Sequence, residues 1–193
     1  KDQVALFLNR KDLTDQIPNL IELAEDRIYR ELRCKYNLEV LDFPDHGSAV
    51  LALPADYREA LYVHWDLQEL EKRVIIHPWR YRGGAHRINY YVGMPRYWSD
   101  NGPEIVLQPS LDGPYDLSLT YFRTLKGTLV DDTDTNAVLT AAPDLYLYAT
   151  LVVGQSFLIG DTIPLWDSQY RNALSDLNTE FNMNLLAVTE NAS

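Results

Sequence analysis

The chain has 193 residues, 46% hydrophobic and 23% charged, which is ordinary globular usage and excludes wholesale disorder. Its 17 basic and 28 acidic residues give a formal net charge of −11, a balance that disfavours gripping a phosphate backbone, since nucleic-acid binders neutralise phosphates with lysine and arginine. With a single cysteine, Cys34, neither an internal disulfide framework nor a cysteine-based zinc site can be built.

The opening KDQVALFLNR reads as a short amphipathic helix. It lacks the basic then apolar pattern of a signal peptide, so export by the usual route is not expected. From Thr14 the segment TDQIPNLIELAEDRIYRELR places Ile17, Leu20, Ile21, Ala24, Ile28 and Leu32 three and four residues apart, one face of an amphipathic helix. Thr14 is the expected cap, and Pro18 is tolerated because it falls in the first turn. Acids lead (Asp15, Glu22) and arginines trail (Arg30, Arg33), as the helix dipole prefers. Cys34 follows between Arg33 and Lys35; neighbouring cations could make the thiol reactive, and a purely structural role is the other reading.

Between Tyr36 and Tyr121 the pattern changes to short β-like runs: NLEVLDF, AVLALP, ALYVHW, RVIIHPW, RINYYVG, EIVLQP and DLSLTYF. Turn residues separate them (DHG, GG, GMP, DNGP, DGP), which predicts an antiparallel sheet or small barrel inserted between helical segments, because no crossover helices are evident for parallel strands. After the acidic DDTDT segment, Asn136–Ala141 suggests a short helical turn, and Pro143 opens a second helix that Gly160 would stop. A last helix restarts at Thr162-Ile-Pro164. Its apolar stripe is Trp166, Tyr170, Ala173, Leu174, Leu177, Phe181 and Leu185, with Gln169, Asn172, Asp176 and Glu180 opposite. The final VTENAS is polar and is expected to fray or dock elsewhere. The fold class predicted is α+β, with a helical domain from residues 1–35 and 135–186, an inserted antiparallel β module at 36–130, and a tail at 187–193.

The run APDLYLYATLVVGQSFLIGD, residues 142–161, is the least polar in the chain. A bilayer span needs about 20 predominantly apolar residues; here Thr150, Gly154, Gln155 and Ser156 interrupt a shorter stretch, so no membrane contact is predicted. Apolar side chains nevertheless occupy every side of this helix: Leu145, Ala149, Val152 and Ile159 on one, Leu147, Leu151 and Leu158 on a second, Tyr146, Val153 and Phe157 on a third. A helix apolar all round must be covered all round. The reading is that a neighbouring copy supplies part of that cover, which makes the protein an oligomer.

Motifs for chemistry are sparse. Asp131, Asp132 and Asp134 begin like a calcium loop but lack the glycine and glutamate an EF-hand requires, and read as a solvated linker that caps the next helix. His46, His64, His77 and His86 show no ligand spacing. No nucleophile elbow or phosphate-binding loop occurs, and the acid pairs Asp56 with Glu59 and Glu69 with Glu71 have no context that marks them for glycosidic cleavage. No cofactor, metal or catalytic residue is predicted. The unusual stretch is HPWRYRGGAHRINYYVGMPRYW, residues 77–98, where arginines alternate with Trp79, Tyr81, Tyr90, Tyr91, Tyr97 and Trp98. A protein interface, an ordinary strand surface and a ligand-stacking platform all remain open for it. Charge is uneven around it: residues 72–96 carry six bases and no acid, whereas residues 127–193 carry nine acids and one base, Arg171.

Five segments in order carry a family likeness. They are the helix pattern of Ile21, Ala24, Glu25, Arg27, Ile28, Arg30, Glu31 and Leu32; LPADYRE at 53–59; GMPRYW at 93–98; the strands EIVLQP and DLSLTYF; and PDLYLY followed by LWDSQYRNAL at 165–174. Over residues 14–180 the chain resembles the head-to-tail adaptor proteins of tailed bacteriophages, of the podovirus adaptor or tail tubular protein A type. The resemblance implies a structural virion protein of the neck, assembled in the host cytoplasm and not an enzyme. It implies a homo-oligomeric, dodecameric ring between the portal protein and tail components such as nozzle or tail-fibre proteins, through whose lumen genomic DNA passes without specific binding. Ring contacts are expected in the helical layer, with Tyr146, Tyr148, Val153, Phe157, Trp166 and Tyr170 as candidates. Partner contacts are expected from Trp79, Arg80, Tyr81, Arg82, Tyr97 and Trp98 of the β module and from Leu185 and Leu186 near the C-terminal end. The competing function is a carbohydrate-binding or peptidoglycan-degrading virion module that uses the aromatic β region.

Overall fold

The computed structural model describes residues 1–8, 15–66, 68–73, 92–127, 129, 131, 133–155 and 164–191, with residues 182–191 described by backbone alone. The chain divides into a helical unit, Lys1–Asn37 with Thr124–Ser193, and a β unit, Leu38–Arg123.

The helical unit contains α1 (Asp2–Leu8), α2 (Ile17–Glu31), a 3-10 turn (Lys35–Asn37), α3 (Ala137–Ala141), α4 (Pro143–Gly154) and α5 (Pro164–Asn191). Helix α2 forms where the apolar spacing places it, and Ile17, Leu20, Ala24, Ile28 and the following Leu32 are all at most 2% exposed. Full burial of one such side chain contributes roughly 1.5–3 kcal/mol, so this single face supplies much of what holds the unit together. The helix boundary differs from expectation: Gln16 occupies the cap position with no side-chain cap bond, and Thr14 lies outside the described residues. Helix α3 is capped by Asn136, whose side chain accepts from the Leu139 N–H at 2.8 Å. The capping therefore belongs to the asparagine and not to the aspartates before it; Asp134 instead accepts the Asp131 N–H at 2.7 Å and closes a local turn.

Helix α4 takes much of its cover from its own chain and keeps some positions partly open. Within the described part of the run, Leu145, Ala149 and Leu151 are 0% exposed, and Leu147, Tyr148, Val152 and Val153 are half-buried. Helices α1, α2, α3 and α5 all pack on α4, and the half-buried positions are where a second copy could add cover. At Gly154 the approach is close, since an added Cβ would meet the Leu8 and Leu20 methyl groups at 3.4 and 3.6 Å. Phe157 and Gly160 lie outside the described residues. Helix α5 opens at Pro164 as expected, buries Trp166, Tyr170 and Leu174, and then continues through the polar VTEN segment to Asn191. No described helix is long and apolar enough to cross a membrane.

The β unit is built from β1 (Leu38–His46), β2 (Val50–Ala52), β3 (Tyr57–Trp65), β4 (Gln68–Glu69), β5 (Glu71–Lys72), β6 (Tyr97–Asp100), β7 (Glu104–Gln108) and β8 (Tyr115–Arg123). They form two four-stranded sheets, β1-β8-β3-β4 and β2-β7-β6-β5, and no barrel closes among the described residues. Alternate residues of both sheets feed one core: Leu51, Ala60, Val63, Trp98, Ile105, Leu107, Leu117, Leu119 and Tyr121, with Leu70 from the β4 to β5 link. One pairing departs from the antiparallel expectation, since β5 runs parallel to β6 through Glu71 beside Tyr97 and Lys72 beside Trp98. The connection across residues 73–96 exceeds the dozen or so residues that a parallel crossover needs, so length alone permits it. The predicted strands RVIIHPW and RINYYVG fall almost entirely outside the described residues.

Candidate interaction surfaces

In the helical unit, burial and hydrogen bonding decide which candidate residues are available. Tyr146 is 5% exposed and its hydroxyl is the hub of a buried polar cluster. It lies 2.8 Å from the Tyr29 hydroxyl, accepts from the Asn136 side-chain amide at 2.9 Å, and donates to the Glu25 carboxylate at 3.3 Å. Since its one proton points at Glu25, Tyr29 must donate to Tyr146. Glu25 also receives the Gly127 N–H at 3.5 Å, where Gly127 holds φ +80, a left-handed conformation that favours glycine. Burial raises the Glu25 carboxyl above its ordinary value of 4.5, against the lowering effect of the Gly127, Tyr146 and Lys126 contacts. Burial likewise pushes the Tyr146 phenol up to about 12. The cluster joins α2, α4, the cap of α3 and Gly127 with one set of side chains.

A second set holds α5 to α2. The Arg27 guanidinium sits 4.5 Å over the Tyr170 ring and pairs with Asp167 at 3.1 Å, while the Tyr170 hydroxyl donates to Glu31 at 3.0 Å. Asn178 accepts the Arg33 N–H at 2.7 Å and donates to the Glu31 carbonyl at 3.2 Å, and so satisfies the C-terminal end of α2. Tyr170, at 0% exposed, and Trp166, at 7%, are therefore core residues of the single chain, whereas Tyr148 and Val153 keep partly open surfaces. Sequence reading missed Glu25, Tyr29, Asn136, Asp167 and Asn178 as a network. Glu25 and Tyr29 fall on the edge of the predicted apolar face, and an asparagine before a helix is a cap signal, but Tyr146, the partner of Glu25 and Tyr29, lies more than a hundred residues away from both.

Cys34 is buried, and burial raises its thiol despite the adjacent cations; its sulfur approaches the Asn37 side-chain oxygen at 3.4 Å. The structural reading holds for it.

In the β unit, cations from β5 and the residue after it cover the aromatic rings at the described end of the arginine and aromatic stretch. Arg73 lies 3.8 Å from the Tyr97 ring centroid and Lys72 4.9 Å from that of Trp98. Trp98 is 1% exposed and donates its indole N–H to the Leu70 carbonyl at 3.0 Å, so it anchors the sandwich from within. Tyr97 is half-buried. Trp79, Arg80, Tyr81 and Arg82 lie outside the described residues, and Leu185 and Leu186 lie on α5 where only the backbone is described. Tyr57 donates to Asp100 and accepts the Ala60 N–H at 2.8 Å, and Tyr121 donates to Asp56 at 3.1 Å. Asp56 therefore has a structural partner. His46 bonds the Val50 carbonyl at 3.0 Å and His64 stacks on Tyr62; among the described residues no group of three or more His, Cys, Asp or Glu is placed to hold a metal ion.

Among the described residues the large apolar side chains left most exposed on the helical unit are Leu6 at 77%, Leu165 at 61%, Phe7 at 50% and Leu23 at 49%. They come from α1, α5 and α2, elements whose other faces are packed.

These features define an α+β protein in which buried polar side chains lock helices together while apolar side chains of the same helices face outward. Residues 1–189 match the family described as SU10 adaptor protein, and the chain belongs to that family of phage adaptors. Among curated proteins, none matches the chain at a significant level. Membership gives the protein an adaptor's role, that of binding other virion proteins.

Proposed function

We propose that this protein is the head-to-tail adaptor of a tailed-phage virion and acts as a ring between the portal protein and tail components. The observation that carries the reading is the family match over residues 1–189. The ring is dodecameric, assembles in the host cytoplasm, and lets genomic DNA through its lumen without specific binding. A net charge of −11 supports the last point, because an acidic wall repels phosphates. Outward Leu6, Phe7, Leu23 and Leu165 support assembly, with Tyr148 and Val153 contributing where they remain open. Phe157, Trp79, Arg80, Tyr81, Arg82, Tyr97, Leu185 and Leu186 stay candidates for contacts with other subunits or partners. The role is structural, without catalysis.

The test is mass photometry and electron microscopy of the chain mixed with the portal protein of the same phage. Rings stacked on portal are the expected result. Persistent monomer at micromolar concentration with portal present would overturn the proposal. Zymography and binding assays on peptidoglycan separate the competing carbohydrate-binding or degrading reading, which requires either clearing or glycan affinity.

A further inference from the structure

The helical unit contains a cavity of about 330 Å³ bounded by Lys1, the first turns of α2, residues 126, 127, 129, 131 and 134, and Leu139 of α3. That volume lies in the range of sites that hold a small ligand or a few side chains. Its apolar lining comes from Pro18, Ile21, Leu129 and Leu139, and its carboxylates from Glu22, Glu25, Asp131 and Asp134. Two cations, Lys1 and Lys126, also line it. Lys126 is already engaged by Glu22 at 3.4 Å and Asp26 at 2.9 Å, so it offers little to an incoming anion. Glu25 is 3% exposed, and its contacts to Tyr146 and Gly127 at 3.3 and 3.5 Å are long. An ionised carboxylate has about four acceptor positions, so Glu25 retains capacity for a donor. A lining that combines apolar side chains with carboxylates complements a side chain with an aliphatic stem and a cationic head.

We propose that this cavity is a docking site for an arginine or lysine side chain, flanked by an apolar residue, presented by a partner protein. The proposal rests on the adaptor reading for the kind of partner and deepens it by naming the partner's chemistry. The stem lies on Ile21, Leu129 and Leu139; the head is shared by Glu25 and Asp131. Arginine is favoured over lysine because its planar fork donates to two carboxylates at once.

Two-dimensional NMR on the full chain at physiological salt tests it, with the peptide acetyl-Ala-Leu-Arg-Leu-Ala-amide and its glutamine and glutamate counterparts as probes. The expected result is saturable shifts centred on the Asn19, Gly127 and Leu139 amides for the arginine peptide alone. Each variant removes one charge-assisted contact, so Glu25→Gln and Asp131→Asn should each weaken binding about tenfold or more. Asn19→Trp at the exposed mouth should block binding with the folded spectrum intact, which guards against a Glu25 variant that misfolds. Equal binding of the glutamine peptide, shifts scattered over the acidic surface, or no shifts at millimolar peptide would each overturn the assignment. Ring assembly is read separately: Asn19→Trp rings that form normally on portal while the arginine peptide fails to bind wild type would sink this site and leave the adaptor reading standing.

Discussion

At the scale of single residues, Glu25 carries the clearest expectation. Burial raises its carboxyl above 4.5, so in the window between that value and its folded value the native state holds more protons than the unfolded chain. Stability from this group is full below 4.5 and is lost as pH rises through the folded value. Urea melts of wild type and Glu25→Gln across that window should show the wild-type stability falling relative to the variant as pH increases. A difference between the two that stays flat with pH would contradict the burial argument. Cys34 teaches the complementary lesson: the cations beside it in sequence suggest a reactive thiol, yet burial outweighs them in the folded chain. Neighbours along the chain set only part of a side chain's field, and desolvation, which depends on the whole fold, sets the rest.

At the scale of elements, the close packing of α1 and α2 on α4 is concentrated at Gly154. An added methyl group there meets Leu8 and Leu20 at ordinary contact distance, 3.4 and 3.6 Å, and the backbone is helical. Gly154→Ala should therefore raise stability by roughly 0.4–1 kcal/mol through the unfolded chain's lost freedom. Gly154→Leu should lower it by about 1–3 kcal/mol, because the larger side chain must push α1 away. Paired thermal melts check both signs. Amphipathic spacing made α2 and α5 legible because a 3.6-residue period depends on local sequence only. The parallel pairing of β5 with β6 was not legible: two-residue strands carry no period, and their register is set by what lies across the sheet. Nor was the cap of α2 by Asn178, since the asparagine sits in α5.

For the whole molecule, the apolar side chains that matter for assembly are those the chain leaves outside. Leu6→Ser with Phe7→Ser should change thermal stability little, within about 0.5 kcal/mol per surface site, while weakening ring formation on portal by tenfold or more, since each buried apolar side chain is worth roughly 1.5–3 kcal/mol. Mass photometry against wild type measures the second effect and calorimetry the first. Unchanged assembly would move the ring interface away from α1.

Composition, periodicity and the order of five short segments were enough to determine an α+β chain, its helical faces and its adaptor family, because each depends on residues near one another or on a pattern read along the line. Tertiary structure alone decided that four helices of the same chain pack on the described part of α4, that Tyr146, Tyr170 and Trp98 belong to the interior, and that Glu25 borders an acidic-rimmed cavity. Apolarity states that a surface must be covered; only the folded arrangement of distant elements states which atoms cover it.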